Sequence, residues 1–129
     1  MKDIGFKETV QELLHYYIEL KIFTIDLNYR LDDDSLQGDL KLSLYRILQE
    51  LFNNTVKYAR ATQVKLVIHQ RADFIRIAFQ DNGIGFDPKC LKKGVGLTNI
   101  KSRVGMHNGR LRIDSEYNIG TKVLFVIPI

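Results

Sequence analysis

The chain has little of what marks several common protein classes. It holds a single cysteine, Cys90, so no internal disulfide can form, and the paired Cys or Cys/His spacing of a zinc site is missing. That usage fits a reducing, cytosolic setting. No apolar run approaches the roughly 18–20 residues that cross a bilayer. The opening Met1-Lys2-Asp3-Ile4-Gly5 lacks the apolar stretch of a signal peptide. There is no arginine-rich helix or basic tail of the kind that grips nucleic acid, no internal repeat and no low-complexity segment.

What remains is 129 residues, 45% hydrophobic and 26% charged, enough to bury one real core. No domain boundary is visible, and residues 1–129 read as one domain. The formal net charge of +4 suits an anionic ligand such as a nucleotide, or an acidic partner surface. Solvated lysines and arginines would give the same total. Only Lys89, Lys92 and Lys93 cluster, beside a glycine motif.

Hydrophobic periodicity orders the chain. Residues 7–20 repeat at helical spacing through Val10, Leu13, Leu14, Tyr17 and Ile18. Residues 21–28 alternate, with Phe23, Ile25 and Leu27 on one face of a strand. A polar loop from Asn28 to Gly38 leads to a long helix over 39–59, striped by Leu40, Leu44, Ile47, Leu48, Leu51 and Thr55. Strands are expected at 63–70 and 73–80, joined at Arg71-Ala72-Asp73. Residues 82–96, with four of the nine glycines, form a loop. A helix follows at 96–107, with Leu97, Ile100 and Val104 inward and Gly109 to end it. Last come strands at 110–116 and 121–128, turned at Asn118-Ile119-Gly120. This order predicts an α+β two-layer sandwich: a mixed five-stranded sheet with three helices on one face and the other face more exposed.

Four constellations stand out. Glu50, Asn54 and Lys57 fall at i, i+4 and i+7 of the long helix and share a face. A carboxylate, an amide and a lysine so aligned suit a metal-bound polyphosphate, since Mg²⁺ takes few protein oxygens and keeps several waters. An ordinary polar helix face reads the same way. Asp81-Asn82-Gly83-Ile84-Gly85-Phe86-Asp87 closes an apolar strand. A strand-end carboxylate can accept from the amine of adenine, where guanine presents an oxygen, and would reject the wrong base by being left unpaired. A plain Asp-Asn-Gly turn is the alternative. Gly94-Val95-Gly96-Leu97 opens a helix whose N-terminus favours phosphate, although a lone GxG commonly means a flexible turn. It is neither a P-loop nor a dinucleotide fingerprint. Gly120-Thr121 opens the final strand and alone signals a turn.

Taken in order and register, these four resemble the gyrase and histidine-kinase ATPase superfamily. The helix matches its N box, Asp81–Gly85 its first glycine box, Gly94–Leu97 its second, and Gly120-Thr121 its closing one. Leu44–Glu50, Asp87-Pro88 and Gly96–Val104 resemble the nitrate-sensor-type sensor kinases, as does Asp3-Ile4-Gly5-Phe6. The resemblance implies ATP and Mg²⁺ as ligands. Glu50 would be the catalytic N-box acid, Asn54 the Mg²⁺ ligand, Lys57 a phosphate contact and Asp81 the acceptor for the adenine amine. Gly83 and Gly85 would wall the base, Gly94, Gly96 and Leu97 would serve the lid and phosphates, and Thr121 would sit near the base. Tyr58 stands where this subfamily usually has histidine, and the eight-residue lid between Gly85 and Gly94 is short.

The three histidines, His15, His69 and His107, are followed by Tyr16, Gln70 and Asn108, not by the acidic residue that follows a phosphoacceptor. The resemblance therefore implies a catalytic fragment, monomeric by itself, whose dimerisation and phosphoacceptor helices lie elsewhere. Its partners would be those helices and a response regulator, with no nucleic acid. The parent protein could be membrane-anchored. An anti-sigma-factor-type serine kinase and a non-catalytic nucleotide-sensing or docking module remain as alternatives.

Overall fold

A computed structural model describes residues 5–32, 36–85 and 97–129. Helix α1 (Phe6–Glu19) buries Phe6, Val10, Leu13, Leu14 and Tyr17. Ile18, expected on that stripe, is 46% exposed. It lies one residue, about a quarter of a turn, beyond Tyr17 on a helix about to end. Lys21 then takes a left-handed conformation (φ 57) and stops the helix, so strand β1 runs over Thr24–Arg30, later than the alternation alone suggested. Tyr29 continues the half-buried face of Ile25 and Leu27. The expected polar loop is correspondingly shorter.

Helix α2 (Gly38–Asn54) buries the whole expected stripe from Leu40 to Leu51. It does not continue as α-helix to residue 59. Thr55–Ala59 form a π turn, in which i→i+5 bonds widen the coil. The Thr55 hydroxyl donates to the Leu51 carbonyl at 2.8 Å, a back-bond that bends helices. Arg60, left-handed at φ 52, ends the segment. Strands β2 (Gln63–Gln70) and β3 (Phe74–Asp81) form a hairpin. Helix α3 (Leu97–Met106) buries Ile100 and Val104. Its end is set by Asn108, left-handed at φ 60, rather than by Gly109. Gly109 must be small for another reason: a Cβ there would approach Val104, the Val126 carbonyl and Ile127 at 2.8–2.9 Å. Strands β4 (Arg110–Glu116) and β5 (Gly120–Pro128) complete the fold.

The sheet order is β1-β2-β3-β5-β4. β1 and β2 are parallel, which requires the crossover through α2. The other neighbours are antiparallel. Val64, Leu66 and Ile68 of β2, Ile75, Ile77 and Phe79 of β3, and Val123, Phe125 and Ile127 of β5 face the helices and form one core with them. Phe52 of α2 is its hub: it stacks on Tyr17 (centroids 4.9 Å apart), meets Phe79 edge-on at 4.9 Å and lies 6.2 Å from Phe23. Such aromatic pairs add about 0.5–1.5 kcal/mol each beyond the area they bury. The core thus fixes α2 over β3, the two elements that carry Glu50, Asn54 and Asp81.

Candidate functional site

Asp81 is the last residue of β3, and its chain leaves the sheet through Asn82-Gly83-Ile84-Gly85. Each step of this exit is tied down. The Asn82 side-chain oxygen accepts from the amides of Thr62 (2.8 Å) and Gln63 (2.9 Å), while its amide group donates to the Thr62 hydroxyl at 2.9 Å. The Ile84 amide donates to the Ala59 carbonyl at 2.7 Å, joining the loop to the π turn. The Ile84 carbonyl accepts from the Asn118 amide at 2.7 Å, joining it to the β4–β5 turn.

The glycines follow from this clamping. A Cβ on Gly83 would overlap the Ala59 carbonyl, and one on Gly85 (φ 64) the Glu116 carbonyl. Gly120 (φ 136) is pressed in the same way against the Asp81 carbonyl. The absent side chains are therefore required by packing within the chain itself, a reason that sequence spacing did not reveal.

Asp81 is 6% exposed. The Gly83 amide donates to its Oδ1 at 2.9 Å. Burial pushes its carboxyl above the usual carboxylate range, while the backbone amides of Gly83 and Thr121 pull the other way. Its carboxyl group is thus fixed in place and largely shielded from water. Thr121 lies directly across from Asp81 in the β3–β5 register. Its hydroxyl is 2.8 Å from that of Ser115 on β4, in register on its other side. Asp81, Gly83, Gly85 and Thr121 are thus brought to one end of the sheet. Ser115, which positions the Thr121 hydroxyl, was not singled out by sequence.

On α2, Glu50 and Asn54 are half-buried and Lys57 is exposed. Lys57 belongs to the π turn, so the 3.6-residue spacing that aligned it with the other two does not run unbroken to it. Among the described residues no group of three or more His, Cys, Asp or Glu side chains gathers as a metal site. A magnesium ion held mainly by phosphate oxygens and water needs few protein ligands, and a side-chain amide such as that of Asn54 is chemically compatible with that role.

Asn53 is structural. Its side-chain oxygen accepts from the Tyr17 hydroxyl at 2.5 Å, locking α1 to α2. Burial, then the neighbouring Tyr16, Tyr45 and Glu50, push the Tyr17 phenol up to about 12, so it stays a donor. Gly94 and Gly96, with Lys89, Lys92 and Lys93, lie outside the described residues. Leu97, the first residue of α3, is half-buried against the core.

Each of the three histidines has a side-chain partner within the chain. His15 meets Glu19 at 3.5 Å on the outer face of α1, His69 meets the Asn28 oxygen at 3.1 Å, and His107 meets the Ser43 hydroxyl at 2.8 Å. Two concavities among the described residues lie elsewhere. One of about 450 Å³ between α1 and α2 is lined by Tyr16, Tyr17, Tyr45, Gln49 and Asn53 among others, and one of about 470 Å³ lies between α3 and β4. Asp81 lines neither.

The architecture is thus a two-layer sandwich with a buried acid closing β3, an asparagine on the helix above and a glycine-clamped exit. Residues 39–129 match the family described as histidine kinase-, DNA gyrase B- and HSP90-like ATPase, and the chain belongs to that family. It is 35% identical over 123 residues to the sensor histidine kinase ComP of Bacillus subtilis, covering 93% of this chain and 16% of that protein. It is 30% identical over 130 residues to the histidine-protein kinase/phosphatase DegS of Brevibacillus brevis, covering 100% and 34%. The chain therefore spans about a third or less of the length of these two relatives. The histidine kinase domain of the blue-light activated kinase of Erythrobacter litoralis superimposes with a TM-score of 0.83 at 16% identity, over 99% of this chain and 63% of that one. The catalytic domain of the histidine kinase ThkA does so at 0.69 and 17%, over 97% and 92%. These likenesses bear out the α+β fold of three helices and a mixed five-stranded sheet. The chain is an ATP-binding domain of the sensor-kinase kind, and among its described residues no helix is long and apolar enough to cross a membrane.

Proposed function

We propose that this domain binds ATP with Mg²⁺ and, within a longer protein, delivers the γ-phosphoryl group to a histidine on dimerisation helices supplied by that protein. From there the phosphoryl group would pass to an aspartate of a response regulator. The observation that carries the reading is Asp81, buried at the strand end with Oδ1 held by Gly83 and Thr121 alongside. The carboxylate accepts the adenine amine, and the clamped Gly83–Gly85 backbone gives the base a rigid wall. Thr121, its hydroxyl paired with Ser115, sits beside the base.

Asn54 would hold the metal, which when bound supplies charge neutralisation to the polyphosphate. Lys57, exposed at the helix end, meets phosphate oxygens. Glu50, half-buried one turn before Asn54, orients the attacking imidazole as the N-box acid. Gly94 and Gly96 serve the phosphates and the lid. Phosphoryl transfer asks mostly for positioning and charge stabilisation, which such a constellation supplies. Without the acceptor helices the domain binds nucleotide and transfers little. The setting is bacterial and cytoplasmic, and the domain by itself is monomeric.

Calorimetric titration with ATP and GTP, each with and without Mg²⁺, tests this. Magnesium-dependent ATP binding with GTP rejected supports both the base and the metal assignments. Equal binding of the two nucleotides would remove Asp81 as the reader of the base.

A further inference from the structure

Strand pleating sends alternate residues to opposite faces of the sheet. One face meets the helices. The other is open: apart from Ala78, its residues are exposed or half-buried. Strand register assembles it into rows. One row reads Arg30, His69, Arg76, Val126 and Arg110 across all five strands. The next reads Asn28, Val67, Ala78, Leu124 and Arg112. Val67, Ala78, Leu124 and Val126 therefore form a contiguous apolar strip over the three central strands, with arginines along its rim.

Among the described residues only part of the charge on this half of the face is neutralised. Arg112 pairs with Asp114 at 3.0 Å. Among the described residues Arg30, Arg76 and Arg110 have no carboxylate within ion-pair distance. The third row is different, because there Asp26 and Asp114 stand across from Lys65 and Lys122. Toward the β2–β3 hairpin end, Arg30, Arg71, Arg76 and Arg110 stand against Asp32 and Asp73, so that among the described residues positive charge is in excess there. It is felt locally: the His69 imidazole is held below its usual value first by partial burial, then by Arg30, Arg71 and Arg76.

We infer that the open sheet face is a docking surface for an acidic protein partner, which sets an apolar side chain on the Val67–Ala78–Leu124 strip and carboxylates on Arg30, Arg76 and Arg110. An apolar centre ringed by arginine is the composition of protein–protein interfaces. The strip itself holds no aromatic ring, and the face carries just one among its described residues, the half-buried Phe74 opposite Pro128 at the hairpin edge, where single-stranded nucleic acid needs a series of rings to stack on. No large, fully exposed apolar side chain protrudes from the strip to enter a bilayer. At about 3.3 Å per residue and about 4.8 Å between strands, the face measures about 23 Å by 19 Å between strand axes. That is the scale of a small, transient signalling interface. The surface lies on the opposite side of the sheet from Asp81 and is independent of the nucleotide reading.

The test is an amide chemical-shift titration of the whole chain with three probes. These are an acidic peptide of glutamates with leucine at every fourth position, vesicles of phosphatidylglycerol, and an oligothymidylate. The peptide is expected to move the amides of β2, β3 and β5 around Val67, Ala78 and Leu124. Its affinity should fall about tenfold in Arg30→Glu and again in Arg76→Glu, and weaken as salt is added. Leu124→Thr should weaken the leucine-bearing peptide more than plain polyglutamate. ATP affinity should be the same in each variant as in the unaltered chain. Peptide shifts centred elsewhere, peptide binding indifferent to both charge reversals, or tighter holding of this face by the vesicles or the oligonucleotide would each overturn the proposal.

Discussion

Replacing Asp81 with asparagine changes one group in the proposed base pocket while keeping its shape. In the present fold Oδ1 accepts from the Gly83 amide at 2.9 Å. An asparagine keeps its own oxygen on that amide, because the alternative rotamer would set one donor against another. Its NH₂ then replaces the outer carboxylate oxygen and meets the adenine amine donor to donor. A hydrogen bond to a charged group contributes about 1.5–3 kcal/mol, and each 1.4 kcal/mol is about tenfold in affinity. ATP binding should therefore weaken by about 10- to 150-fold, read by calorimetry at neutral pH. The nucleotide-free protein should keep its fold, since the change removes a buried charge. Burial raises the Asp81 carboxyl, so its neutral form is the one the fold prefers. That contribution is fully present below the ordinary aspartate value and is lost as pH rises through the raised one. The melting temperature of the nucleotide-free asparagine variant should thus match that of the unaltered protein in acid and equal or exceed it above that window. ATP affinity unchanged by Asp81→Asn would refute the base assignment outright.

Gly83→Ala should cost about 2–4 kcal/mol in urea unfolding, because the new methyl must displace the Ala59 carbonyl and with it the bond to Ile84. Gly105→Ala is the opposite case. Nothing lies within 4 Å of a Cβ built there on α3, so thermal melting should show about 0.5–1 kcal/mol of added stability. Asn54→Ala should weaken ATP binding in the presence of Mg²⁺ and leave metal-free binding nearly as it was. A loss of equal size with and without Mg²⁺ in the calorimeter would count against the metal role.

The elements themselves were legible because their cause is local. The stripe from Leu40 to Leu51 and the alternation of Val64, Leu66 and Ile68 each express a period that the backbone geometry imposes. The boundaries that moved did so for reasons without a composition signal. Lys21, Arg60 and Asn108 all adopt positive φ, but only asparagine among them favours it. Thr55 bonds its own hydroxyl backward where the helix widens, which a stripe pattern cannot show. Contacts between distant residues were equally hidden. Tyr17 to Asn53, Ser43 to His107 and Thr62 to Asn82 each join positions that no local window spans. The glycines of the strand-end loop stand out in the sequence as a possible ligand wall, whereas the reason the structure gives for them is the chain's own carbonyls.

The pleat of β3 makes the two proposed surfaces controls for each other. Asp81 sits at an odd position with Ile75, Ile77 and Phe79 on the helix side, while Arg76 and Ala78 sit at even positions on the open side. A disturbance of the strand itself would be felt on both faces. A true reader of adenine at Asp81 would be felt only in ATP binding, and a true docking arginine at Arg76 only in binding of the acidic partner. If Asp81→Asn and Arg76→Glu each impaired both bindings, β3 would be acting as scaffold alone, and neither assignment could stand on that strand. Separate losses would show one strand holding a nucleotide site and a partner site back to back, about one sheet thickness apart. Partner binding could then influence nucleotide binding by shifting β3 relative to α2, through the Phe52–Phe79 contact that joins the two, or relative to β5, which sets Thr121 across from Asp81.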